Sequence, residues 1–465
     1  MLCGYTRSFL NDEHGGGTIM GLLWFILLVG ITGMAVDVTN GFRSQTMLQA
    51  TADASALAAV IDLPDEAVAV ATAVAYSDTN MATSDYGTVL IAADVDIGNW
   101  DPSTHIFSTG GLLPDAVRVR TRRSFENENP VPVNFLRIIG LMNWNVTTYA
   151  IAQRFIPDCL TDGLVARGIV DMSSNNGFVD DMCIHGQKGV HIRNHNEFEL
   201  GVKVTMPDMY NDLVTPNSGM GSNPGLDMAL GEQSLDPRMV NHVDQLIADM
   251  LTMQSYVMPA YIDTALIAAA ASGASPPVVV KDEKWNFADA TPGNVYHIQC
   301  AANKNVGIPN NTVLDRVVII ADCQIGVGSG VSMSDVILAS SAVAPGGNPN
   351  GANDRKNSGH GGAGIENANI SFSSNVTLGT ADNCQTGGGV QIFSSASVHF
   401  SSTTAYNGVQ IVVAGDVDLG ARDQGINGIN VQAGGDITMT SNDAFGLCTG
   451  GAPQLFTVNY YRLVY

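Results

Sequence analysis

The chain has 465 residues, with 44 acidic against 21 basic side chains and a net charge of −23. That length holds two or three domains with full cores, and that charge repels phosphate backbones, so nucleic acid is excluded as an expected partner. Only 14% of residues are charged and 50 are glycine, a balance that suits extracytoplasmic β-rich proteins better than cytosolic enzymes.

Residues 1–17 read as a short cytoplasmic leader that ends in GGG and carries Asp12 and Glu13. Acidic groups there complement the positive end of a following helix. The next run, TIMGLLWFILLVGITGMAV (Thr18–Val36), holds no charge. Its roughly 19 residues make about 28 Å of helix, close to the hydrocarbon thickness of a bilayer. Thr18, Leu22, Trp24, Phe25, Leu28, Ile31 and Val36 are the expected lipid-facing anchor. The chain continues as DVTNGFRSQTMLQATADASALAAV, with apolar residues near helical spacing at Met47, Leu48, Ala52, Leu57 and Ala58. One long helix is predicted, its first half in lipid and its second half against protein. The apolar run exceeds the core of a secretory signal, and no small-residue cleavage site follows it cleanly, so a retained anchor is expected. Orientation is open on charge alone, with Arg7 before the span and Arg43 after it.

Asp62 and Pro64 mark a break and a new helix start, followed by the short helix PDEAVAVATAVAYSDTN. From Thr88 the period becomes two, in TVLIAADVDIGNW, AVRVRTRRS and NVTTYAIAQRF, which predicts strands. Pro132–Leu141 is read as a helix packed on that sheet. Arg118, Arg120 and Arg122, with Arg123 beside them, form a basic strand whose alternation puts the first three on one solvated face. A partner-binding patch is the sharper alternative.

Beyond Cys159, short β segments alternate with Asn, Gly and Asp. Residues 207–277 interrupt them: a loop, the amphipathic helix RMVNHVDQLIADMLTM, a short apolar helix at 262–271 and a linker at Ala271–Pro277. This reads as an insertion between β layers. Then comes an internal repeat of roughly 20 residues, the period of a β-solenoid. Its first strands align at Ile370, Val390, Val409 and Ile429, its second near Val376, Val398, Val417 and Ile437, with earlier copies in DRVVIIADCQIG and SGVSMSDVILAS. A right-handed parallel β-helix is expected, and a β-sandwich is the alternative. QLFTVNYYRLVY (Gln454–Tyr465) is expected to cap its open end.

Of the seven cysteines, Cys3 precedes the apolar run, while Cys159, Cys183, Cys300, Cys323, Cys384 and Cys448 follow it. Six on one side can pair fully, which points to an oxidising compartment outside the cytoplasm. Neighbour pairing (159–183, 300–323, 384–448) is expected; six buried free thiols are the alternative.

The leader residues Arg7, Phe9, Asp12, Glu13 and Gly15, the apolar run, and then AVDVTNGFRSQTMLQATADASALAA resemble the start of TadG-like proteins of the tight-adherence (Tad/Flp) pilus-assembly system. The resemblance continues through VDIGNWDPSTHIFS, PDAVRVRTRRS and NPVPVNFLRIIGLMNWNVTTYAIAQ, about the first third of the chain. It implies an inner-membrane protein with other pilus subunits or pilins as partners. It also implies that Asp12 or Glu13 can meet the terminus of a neighbouring subunit. The expected fold is α+β to mainly β. A leader (1–17) and a transmembrane helix (18–36) precede a pilin-like module with a small antiparallel sheet (37–156). A β-rich periplasmic or surface-exposed domain (157–465) carries the helical insertion at 207–277.

Chemistry has little support. Asp171-Met-Ser-Ser-Asn175 has a passing likeness to the metal-binding loop of von Willebrand A-type domains, which many TadG-like proteins carry, but Asn175 replaces the last serine. His185, His191 and His195 lack helical ligand spacing and read as surface or turn residues. Asp416, Asp418, Asp423, Asp436 and Asp443, with Arg422, could serve a polysaccharide-cleaving β-helix, yet their turn-like positions suit Asx turns. Structural calcium is conceivable there without support. The glycines of 346–367 do not form a phosphate cradle. The expected function is non-catalytic assembly with no cofactor; the alternative is a surface-anchored protein that binds or cleaves glycans.

Overall fold

An uncharged apolar run followed by Ala-, Leu- and Gln-rich sequence gives one continuous helix, α1 (Gly16–Ile61). The computed structural model describes residues 16–465 except 162, 180, 218, 274–277, 303, 342–368, 382–386, 402, 421–425, 441, 447, 449–455 and 465. It divides into two units, Met1–Phe155 with Asn459–Tyr465, and Ile156–Val458. The second is therefore inserted in the chain ahead of the last strand of the first.

In the first unit the later half of α1 lies on an antiparallel sheet. The strands are β1 (Val95–Asp101), β2 (Ile106–Thr109), β3 (Ala116–Arg123) and β6 (Val146–Phe155), in the order β2-β1-β3-β6. The contact is made of small residues. Ala52, Ala56 and Ala59 of the helix are fully buried against Val117, Val119, Ala150 and Ala152, so the helix backbone approaches the sheet closely. The second helix, α2 (Glu66–Asn80), is capped by Asp65, whose carboxylate accepts from Val68 N at 3.1 Å. Between β3 and β6 the predicted helix is absent. Pro132 ends a two-residue strand, β4 (Val131–Pro132), which pairs with β5 (Asn143–Trp144). Only a single 3₁₀ turn, Leu136–Ile139, lies between them, closed by Gly140 at φ 93°.

The closing strand, Tyr460–Leu463, does not cap the repeat. It pairs antiparallel with β6, Tyr460 opposite Phe155. Nor is the arginine strand simply solvated. Arg118 donates to Asp96 at 2.7 Å and Arg122 to the buried Asp94 at 2.6 Å, both acids coming from the β1 side of the sheet. These pairs neutralise two of the three charges on that face.

Every described strand pair of the second unit is parallel, which is not the pairing of an antiparallel sandwich. The strands stack in three columns. One runs through Val306–Ile308, Ile325–Val327, Ile370–Phe372, Val398–Phe400, Val417–Leu419 and Ile437–Met439. A second holds the continuous apolar runs, such as VVIIA of Val313–Ala321 and IVV of Ala405–Val413. These runs are apolar throughout because both faces are covered. Ile319, Leu338, Ile392, Ile411 and Val431 point into the main core, while Val318, Ile337, Phe393 and Val412 meet a helical cover. That cover is α3 (Val243–Leu251) with α4 (Thr264–Ala271), which lies outside one column and not between β layers. The third column aligns Leu314, Met333, Leu378, Tyr406, Ile426 and Phe445.

The stack does not begin where the second unit begins. Residues 163–206, read only as short β segments, form further layers of the same three columns. Val431 pairs with Leu164, Ile437 with Val170 and Phe445 with Phe178, so the earlier segment in sequence stacks on the end of the later one. Layers continue through Cys183–Gly186 and Lys203–Met206 to Leu230–Glu232. Strands Leu213–Val214 and Leu230–Glu232 thus place part of the expected insertion inside the columns. The repeat alignment also shifts: Ile370 pairs with Val398, in the second strands' column, and not with Val390.

Candidate functional site

The residues expected to form an anchor stand together on the exposed part of α1. Leu22, Trp24, Phe25, Leu28, Ile31 and Val36 are each at least 45% exposed, and Thr18 is exposed with them. A surface of this kind, all around a helix, has no aqueous stability of its own; it needs lipid or protein around it. The helix is long and apolar enough to cross a membrane. Asp12 and Glu13 lie outside the described residues.

Burial begins at Gly33 and follows a four-residue stripe through Asp37 and Gly41. Against this stripe sits the β4–β5 hairpin. A Cβ on Gly33 would lie 2.7 Å from Phe135 Cβ, and one on Gly41 would lie 2.4 Å from the Trp144 ring, so glycine is what lets each aromatic touch the helix. Between the two glycines, Asp37 is buried and accepts three backbone N–H groups, from Asn134 at 2.8 Å, Phe135 at 2.9 Å and Leu136 at 2.7 Å. It is the N-terminal cap of the 3₁₀ turn, supplied by another helix. Burial pushes the Asp37 carboxyl up, the three amide donors push it down, and the balance lies below the ordinary carboxylate value. Asn40 donates to Pro132 O at 3.1 Å and completes the collar.

A family model described as domain of unknown function (DUF7867) matches residues 163–449, more than half of the chain. The chain belongs to this family. The DUF7867 match spans the parallel columns of the second unit, including the layers at both sides of the junction at Val431 and Leu164. Two further models match ahead of it, one described as Flp pilus-assembly TadE/G-like over residues 15–71 and one as Tad-like Flp pilus-assembly over residues 47–152. The TadG-like resemblance of the first third is thus shown, and these domains support a role in pilus assembly. No curated protein and no solved structure matches the chain.

The remaining candidates are dispersed over this DUF7867 chain. Cys159 is bonded to Cys183 and Cys300 to Cys323, as expected. Cys448 is disulfide-bonded too, while Cys384 lies outside the described residues. Cys300, Asp322 and Cys323 bring possible ligand atoms within 4.8 Å. The bond between the two sulfurs withdraws the thiolates a metal would use. Asp171 faces Arg193 at 3.5 Å, and Asn175 occupies a left-handed turn position at φ 68°. His195 is an exposed turn residue at φ 61° and His191 is half-buried. His185 departs from expectation: it is fully buried, against Thr205 at 2.9 Å and Gln187 at 3.1 Å. Asp416 accepts from Asp436 N at 2.7 Å, and Asp436 accepts from Ile169 N at 2.6 Å. These contacts run from a carboxylate to the backbone of the next layer, 20 residues on in sequence for Asp416, and so differ from the local Asx turns expected of them. Asp418 meets His399 at 3.1 Å, and Asp443 accepts from the neighbouring Ala444 N at 2.9 Å. Arg422, Asp423 and the glycine-rich 346–367 lie outside the described residues.

Of two features that the linear reading misses, only one leaves a signal in the sequence. Asp37 was legible only as part of a helix, because its partners lie about a hundred residues away. The layers at 163–206 did carry a signal: Gly163, Cys183 and Lys203 stand in register at steps of 20, as do Asn176 and Asn196, whose amide groups bond each other.

Proposed function

We propose that this protein is a membrane-anchored, non-catalytic component of Flp pilus assembly that acts by association with pilins or other assembly subunits. The observation that carries this reading is the coincidence, on one short stretch, of the two pilus-assembly domain matches and a helix whose first half exposes large apolar side chains on all sides. In this reading residues 18–36 cross the inner membrane of a bacterium, 1–17 are the cytoplasmic leader, and Asp12 and Glu13 stand at the helix head. Residues 37–156 form a pilin-like module, its sheet cradling the outer half of the helix. The second unit, Ile156–Val458, a parallel β-helix with a helical cover, projects into the periplasm or to the cell surface. Its disulfides agree with an oxidising compartment. Asp416 and Asp436 are engaged by backbone amides, which weakens the polysaccharide-cleaving alternative.

Removal of the gene tests the role. Loss or shortening of surface filaments, restored by the gene in trans, is the expected result; unchanged filaments and adhesion would overturn it.

A further inference from the structure

The hairpin that grips α1 carries an apolar surface of its own. Phe135 is 44% exposed, Ile138 84%, Leu141 47% and Met142 56%, within eight residues of chain. The turn is firmly built: Leu141 N donates to Leu136 O at 3.2 Å, Val133 N to Met142 O at 3.1 Å, and Asp37 holds its start. A hydrogen-bonded loop that groups four large exposed apolar side chains is the kind of surface that marks a contact with a partner or a membrane.

Its position along the helix says what that is. Phe135 meets α1 at Gly33, before the end of the uncharged run at Val36. The run from Thr18 to Val36 measures about 28 Å, and a bilayer core about 30 Å. If the run fills the core, Gly33 lies about 5 Å inside its boundary, at 1.5 Å per residue. Phe135 then lies there too. Stopping the membrane short of the loop would leave only about 24 Å of helix for it, from Gly17 to Thr32. On the helix, Val36 and Val38, which flank Asp37, are exposed as well, at 45% and 37%.

We propose that residues 135–142 form a second membrane-contacting element, seated among acyl chains in the outer bilayer interface beside the helix, with the exposed Arg137 reaching the headgroups. This rests on the anchor reading above. Arginine suits the place, because its stem can lie along apolar surface while its charge stays in the polar layer. Asp37, with its charge satisfied by three backbone amides, lets the collar sit at the boundary without a free carboxylate.

Photo-crosslinking of the purified full chain in phosphatidylethanolamine–phosphatidylglycerol nanodiscs tests it. A benzophenone side chain is placed at Ile138, at Leu141, at Ile26 as the anchor control and at Leu112, 101% exposed, as the aqueous control. Lipid adducts at Ile138 and Leu141, comparable with Ile26 and absent at Leu112, are expected. Lipid adducts at Ile26 with none at Ile138 or Leu141 would overturn the inference and leave the anchor standing. Crosslinks from Ile138 to a second copy in place of lipid would also overturn it. Absence of lipid adducts at Ile26 would instead remove the anchor itself, and the inference with it.

Discussion

Gly41 puts two effects in opposition at a single residue. Replacing it by leucine would raise helix propensity by about 1 kcal/mol. The new side chain would collide with the half-buried Trp144 ring, which lies within 2.4 Å of the Cβ position. Overpacking of this kind costs about 1–3 kcal/mol, which outweighs the propensity gain over most of that range. Gly41→Leu should therefore lower the thermal transition of the first unit and raise Trp144 solvent exposure in fluorescence. An unchanged emission would mean that the collar does not hold the ring. His185 makes a second prediction. Burial lowers its imidazole from the ordinary value of 6.5, and contacts with Gln187 and Leu235 offset this only in part. The folded state thus resists a proton that the unfolded chain takes up. Its contribution to stability is full above about pH 6.5 and falls as pH drops below that, until the folded pKa is passed. His185→Gln should flatten the stability profile in that window; a profile with unchanged slope would assign the acid sensitivity elsewhere.

At the scale of elements, the third column of the second unit depends on ring stacking. Phe178 stacks on Phe445 at 5.0 Å and on Phe198 at 5.1 Å, and no part of it is exposed. Truncation of a buried phenylalanine costs about 3–5 kcal/mol. Phe178→Ala should reduce hydrogen-exchange protection in Ala444–Gly446 as well as in 177–178, because Phe445 pairs with Phe178. Loss of protection confined to 177–198 would contradict a continuous column. The elements themselves were legible to different degrees. The long helix was plain, since Thr18–Val36 offers no charge and no breaker. The strands of the repeat are legible as strands, but the alignment mixes columns at Ile370, because Ile370–Phe372 carries the same alternation as the start of Val390–Ser394 while its register follows Val398. Asp94 and Asp96 were unreadable as partners of Arg122 and Arg118, since pairing between strands depends on register.

For the whole molecule, chain order and spatial order differ. The stack runs from Val279–Asp282 through Ile426–Ala433 to Gly163–Ala166 and ends at Leu230–Glu232. The chain thus joins and leaves it at neighbouring layers near the junction of Val431 with Leu164. This arrangement suits an inserted unit, because the chain can return to add Tyr460–Leu463 beside Phe155 in the first sheet. Sequence could not show that closure, which joins segments about three hundred residues apart. What the sequence did carry was the pilus-assembly signature and the exposed apolar helix, and the account of function depends on both acting together. Pilus counts in a deletion strain test that most directly. The strain carries either the full chain or a chain whose residues 17–36 are replaced by a cleaved export signal. The account predicts pili with the full chain and none, or few, with the released form. Equal piliation by the released form would contradict it.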